Sequence, residues 1–93
     1  MNTRFRFILV SADDNHEITV KKFATEKEAY EKMISELKEA LFKEGYTEET
    51  FNEQCKDGSP DDFNIGSRWA WVSMSHFGWI DWEIFDMKEV KRG

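Results

Sequence analysis

The chain has 93 residues, 40% hydrophobic and 34% charged, with one proline, one cysteine and a formal net charge of −6. That size fits a single domain, 1–93, and the mixture is too apolar for a disordered chain. A lone Cys55 excludes an internal disulfide framework, and the short apolar run from Phe7 to Val10 suits neither a signal peptide nor a membrane span. The expected setting is therefore the cytoplasm of a bacterium or phage host, with no membrane partner.

TRFRFILV alternates, with Phe5, Phe7 and Leu9 on one side and Arg4 and Arg6 on the other. SADDNH supplies turn residues and EITVKKF resumes with Ile18 and Val20 two apart, which predicts a β-hairpin. With the turn centred on Asp13 and Asp14, Leu9 faces Ile18 and Phe7 faces Val20 on a shared apolar face.

ATEKEAYEKMISELKEALFKEGY predicts a long helix with marked ends. Thr25 and Glu28 form a capping box, and Gly45 stands where a left-handed residue terminates a helix. Tyr30, Met33, Ile34, Leu37 and Leu41 make one apolar stripe, while Glu28 with Lys32 and Glu39 with Lys43 are i,i+4 pairs on the wet side. YTEETFNEQC predicts a short second helix, capped by Thr47, with Tyr46 stapled onto Phe51 and Cys55 docking beside Phe51. DGSPDDFNIGS then reads as a loop. Between Glu44 and Asp62 lie seven acids and one base, while the remaining twelve acids and twelve bases cancel, so the whole excess charge sits in one segment.

RWAWVSM and WIDWEIF both alternate around SHFG and predict a second hairpin, with all four tryptophans in it. A three-residue loop His76-Phe77-Gly78, with Gly78 left-handed, pairs Met74 with Ile80, Val72 with Trp82 and Ala70 with Ile84. The opposite face then carries Trp69, Trp71 and Ser73 beside Trp79, Asp81, Glu83 and Phe85. A two- or four-residue loop would instead gather Trp69, Trp71, Ile80, Trp82 and Ile84. The first register is preferred because it gives one wholly apolar face.

These elements define an α+β fold: a four-stranded antiparallel sheet of two β-hairpins with one long helix on one face and a short second helix, β-β-α-(α)-β-β. Strand order is left open. Met33, Ile34, Leu37 and Leu41 are expected to pack on Phe5, Phe7, Val20 and Ile84. One helix shelters one face of a sheet, so the alternate side chains form a second, aromatic face. Such a patch marks an interface, unless the short helix folds over it or a second copy covers it.

Catalytic chemistry is not evident. His16 and His76 fall in turns, and Cys55 belongs to an amphipathic helix rather than an activated site. Asp57, Ser59 and Asp61 have calcium-loop spacing, but Asp62 replaces the required glycine and Arg68 the closing acid. Asp81 and Glu83 share a strand face, with Arg4 and Arg6 as expected neutralising neighbours. No phosphate loop, zinc spacing or nucleophile elbow occurs, so no catalytic, metal or cofactor residue is assigned. Direct nucleic-acid binding is disfavoured because only Arg4, Arg6, Lys21, Lys22 and Arg68 could gather near the sheet against a net −6.

The hairpin, then F-x-T-x-x-E-A at 23–29, then a closing strand with DW-x-I at 81–84, resembles short α+β proteins of Gram-positive bacteria and their mobile elements. The resemblance is one of layout and implies no activity. In size and charge the chain is also similar to anti-CRISPR inhibitors. The expected function is a non-enzymatic protein-binding module or inhibitor. Trp69, Trp71, Trp79 and Phe85, with Asp81 and Glu83, would anchor a partner protein, and Glu48, Glu49 and Glu53 would steer its basic surface, for instance that of a nucleic-acid-binding protein. An acidic nucleic-acid mimic and a structural homodimer are the alternatives.

Overall fold

A computed structural model of the chain describes residues 5–57, 62–74 and 78–90. The elements in order are β1 (Phe7–Asp13), β2 (Ile18–Phe23), α1 (Glu26–Lys43), α2 (Glu48–Asp57), β3 (Phe63–Ile65), β4 (Trp69–Met74), β5 (Gly78–Asp86) and α3 (Met87–Val90). The strands form one antiparallel sheet in the order β2-β1-β5-β4-β3, which places the first and last long strands side by side at its centre. The α+β class and both hairpins stand, but the sheet has five strands rather than four. The extra strand comes from the stretch expected to be a loop. Phe63 pairs with Val72 and Ile65 with Ala70, because two apolar residues separated by Asn64 match the alternation of β4.

The first hairpin departs from the expected register. Phe7 pairs with Phe23, Leu9 with Lys21, Val10 with Val20 and Ala12 with Ile18. Asp13 Oδ1 accepts the backbone N–H groups of Asn15 (2.9 Å) and Glu17 (3.1 Å), and His16 adopts φ 66°. The connection is thus a three-residue loop, Asp14 to His16, closed by Asp13 N–H donating to the Glu17 carbonyl at 3.2 Å. The odd shift sends Ile18 and Val20 to the far side, where they are 67% and 54% exposed, and brings Lys21 to the helix side.

The second hairpin keeps the expected faces with a register two residues away. Val72 pairs with Ile80, Ala70 with Trp82 and Met74 with Gly78. Gly78 does adopt a positive φ of 85°, whereas the rest of the proposed turn, His76 and Phe77, lies outside the described residues. A Cβ on Gly78 would lie 1.7 Å from Oδ2 of Asp14, and Asp14 N–H donates to the Trp79 carbonyl at 3.2 Å. The Asp14 carboxylate of the first hairpin thus sits where residue 78 has no side chain, and the positive φ there also favours glycine.

Helix α1 begins and ends as its sequence dictates. Thr25 Oγ1 accepts the Glu28 N–H at 3.1 Å. At the other end, Gly45 has φ 104°, its N–H donates to the Phe42 carbonyl and that of Tyr46 to Leu41, which is the Schellman arrangement. Ala29, Met33, Leu37 and Leu41 are buried against Phe7, Leu9, Val72, Trp82 and Ile84, while Tyr30 lies at the margin and Ile34 is half-buried. Each large side chain so covered contributes about 1.5–3 kcal/mol before entropy. Phe5, expected in this core, is 50% exposed. The i,i+4 pairs formed among the described residues are Lys27–Glu31 and Lys32–Glu36, not those expected.

Helix α2 starts with a reciprocal cap, Thr50 N–H to Thr47 Oγ1 and Thr47 N–H to Thr50 Oγ1. Phe51 stacks on Phe63 at 5.3 Å, and Tyr46 meets the same ring edge-on at 6.2 Å. The expected Tyr46–Phe51 staple is therefore mediated by β3, and Tyr46 also donates its hydroxyl to Asp62 at 2.8 Å. Cys55, expected beside Phe51, is exposed. Phe63 belongs to the core, so α2 lies on the α1 side of the sheet and leaves the other side uncovered among the described residues.

The open sheet face as a candidate docking site

Strand alternation makes two surfaces of different character. Toward the helices, Trp82 and Asp86 have polar partners. Trp82 is 3% exposed and donates its indole N–H to Glu36 at 3.0 Å, and Glu36 also accepts from Lys21. Asp86 is buried at the sheet end, where Arg6 reaches it through two 2.8 Å hydrogen bonds and Lys88 N–H adds a third at 3.0 Å. The Arg6 hydrogen bond is the main reason its carboxyl titrates at about 2. Burial opposes that shift, and the Lys88 N–H and the charges of Arg6 and Arg68 reinforce it. Arg68 also bonds Glu26 at 2.8 Å. Arg6, expected beside Asp81 and Glu83, is thus engaged elsewhere, and Arg4 lies outside the described residues.

Away from the helices, Trp69 pairs with Glu83, Trp71 with Asp81 and Ser73 with Trp79 across β4 and β5. Glu83 and Asp81 in turn face Val10 and Ala12 of β1, and Phe85 faces Ile8. All six expected side chains of this set, Trp69, Trp71, Trp79, Phe85, Asp81 and Glu83, therefore share one face. Trp69 and Trp79 are 44% and 40% exposed, while Trp71 and Phe85 are half-buried by their neighbours. A Cβ on Gly66 would lie 2.2 Å from Cε2 and Nε1 of Trp69, so a bare backbone backs this indole. Neither Asp81 nor Glu83 forms an ion pair among the described residues.

Sequence reasoning missed the aliphatic half of this face: Ile8 and Val10 from β1, Ile18 and Val20 from β2. The uninterrupted run FILV was the available signal, since a strand apolar at every position presents apolar groups on both sides.

Glu48, Glu49 and Glu53 do not join the aromatic residues. They are exposed on α2 on the opposite side of the sheet, and Glu48 bonds Lys38 at 2.7 Å. The acidic helix and the aromatic face are two separate surfaces. Cys55 sits on the same helix, where burial pushes its thiol up against the weaker pull of Lys38, the reverse of an activated nucleophile. His16 is exposed in its turn, and His76, Ser59 and Asp61 lie outside the described residues. Among the described residues no group of three His, Cys, Asp or Glu side chains could hold a metal ion, and no helix is long and apolar enough to cross a membrane.

No protein-family model matches the chain, and neither the curated proteins nor the solved structures compared with it give a match.

Proposed function

We propose that the protein is a non-enzymatic binding module of the cytoplasm that docks on a basic partner protein through the open face of its sheet. The observation that carries this reading is an open sheet face on which exposed Ile18 and Val20 on one side and Trp69 and Trp79 on the other flank the acids of β5, uncovered by a helix among the described residues. Large apolar side chains gathered on one exposed sheet face are a feature of interaction surfaces. Its embedded acids, Asp81 and Glu83, give it a negative centre. That negative centre is the ground for a basic surface as the occupant.

A second reading rests on α2. Glu49 and Glu53, one turn apart, are exposed to solvent, and Glu48 beside them is exposed but paired with Lys38; these acids are what an acidic nucleic-acid mimic would present. Inhibition of a nucleic-acid-binding protein, as mobile elements practise it, is compatible with either surface.

The test is capture of partner proteins from lysate of the source cells by immobilised wild type, by Trp71→Ala and by a Glu48/Glu49/Glu53 charge reversal. Face docking predicts loss with Trp71→Ala and retention with the reversal, and mimicry predicts the opposite. Identical capture by all three proteins contradicts both readings.

A further inference from the structure

The open face contains a cleft of about 360 Å³ lined by Trp69, Trp71, Asp81, Glu83, Phe85 and Val10 among others. We infer that this cleft receives an arginine side chain of the partner protein, an inference that rests on the docking reading above. The register supplies the geometry. Trp69 stands opposite Glu83 and Trp71 opposite Asp81, so two indoles and two carboxylates occupy the corners of one patch. Residues two apart on a strand lie about 6.5–7 Å apart, and directly opposed side chains about 5 Å apart. That patch is the size of one guanidinium with its stem.

Charge complementarity selects the occupant. The two carboxylates repel each other and form no ion pair among the described residues. On this face the described base nearest to them in the ladder is Lys22, which pairs with Ile8 on the outer strand rather than with either acid. A phosphate-bearing partner would be repelled. Indole walls attract a cation through their ring quadrupole, and a planar guanidinium can stack on an indole while offering paired N–H groups to carboxylates. An ammonium lacks that planar fork, and Gly66 beneath Trp69 holds one wall in place. The exposed apolar side chains beyond the cleft, Val20 and Ile18 across β1 and Trp79 farther along β5, would meet apolar groups of the partner around that arginine.

The test titrates three blocked tripeptides, Gly-Arg-Gly, Gly-Lys-Gly and Gly-citrulline-Gly, into the protein while following its indole N–H resonances. The arginine peptide is expected to shift Trp69 and Trp71 saturably, lysine more weakly, and neutral, isosteric citrulline not at all. Asp81→Asn with Glu83→Gln should weaken the arginine response roughly fivefold or more. Trp82 also borders the cleft, but its indole N–H is held by Glu36 on the other side of the sheet and should shift least, reporting an intact fold in both proteins. No arginine response, an equal response to citrulline or lysine, or an undiminished response in the double variant overturns the inference. Capture of a partner that is lost with Trp79→Ala but indifferent to Asp81→Asn with Glu83→Gln would leave the docking reading standing and remove the arginine alone.

Discussion

A buried carboxylate is tolerated only when its charge is met, and Asp86, 2% exposed, is met by Arg6 and the Lys88 N–H. Its folded value of about 2 lies below the ordinary 3.8. A carboxyl depressed on folding contributes stability above its unfolded value and loses it as pH falls through the folded one. Thermal stability should therefore decline as pH drops from 3.8 toward about 2. Asp86→Asn should melt lower than wild type at neutral pH and decline less steeply across that interval. Equal slopes in the two proteins would show that the pair does not couple to folding. Gly66 makes a second prediction at this scale. Gly66→Ala puts a methyl group where the Trp69 ring lies, so the indole must move. Its N–H resonance should shift markedly while that of Trp82 does not. His16 makes a third, because a side chain at φ 66° is strained. His16→Gly should be tolerated, and β-branched His16→Val should cost about 1–2 kcal/mol in chemical denaturation.

At the scale of elements, the ends of α1 were legible because they are written in single residues, Thr25 at one end and Gly45 at the other, whereas its expected i,i+4 pairs were not those formed. The stripe was legible with a small rotation, Ala29 replacing Tyr30 in the buried row. Registers were not. An apolar pattern distinguishes the two faces of a strand, so it specifies register only up to even shifts, and the second hairpin accordingly kept its faces and slid by two. The first hairpin was misplaced by an odd shift because its turn puts a histidine in the left-handed position, a choice that glycine or asparagine would have advertised. β3 escaped notice because three residues carry too little alternation to stand out beside Pro60 and a run of acids. Its weight in the core is testable. Phe51→Ala and Phe63→Ala should each destabilise by about 3–5 kcal/mol at most, with a coupling of about 0.5–1.5 kcal/mol in the double variant. Strict additivity would mean that their stacking contributes nothing. Leu37→Asp, which places a charge at the centre of the buried stripe, should leave no cooperative thermal transition.

For the whole molecule, the partition into a sheltered and an open sheet face was legible, since period-two alternation in RWAWVSM and WIDWEIF sends every second side chain away from the single long helix. The separation of Glu48, Glu49 and Glu53 from that face was not legible. It follows from Phe51 stacking on Phe63, a contact between residues twelve positions apart that no local pattern encodes. Two surfaces with opposite accessibility to the sheet make the proposed docking depend on the aromatic one. The most direct measurement is the solvent accessibility of the four indoles in a dilute sample shown by sedimentation to be monomeric, using a soluble paramagnetic relaxation agent. Strong broadening of Trp69 and Trp79, intermediate broadening of Trp71 and none of Trp82 is the expected order. Equal protection of all four in the monomer would mean that the chain covers its own sheet on both sides, and the docking face would not exist.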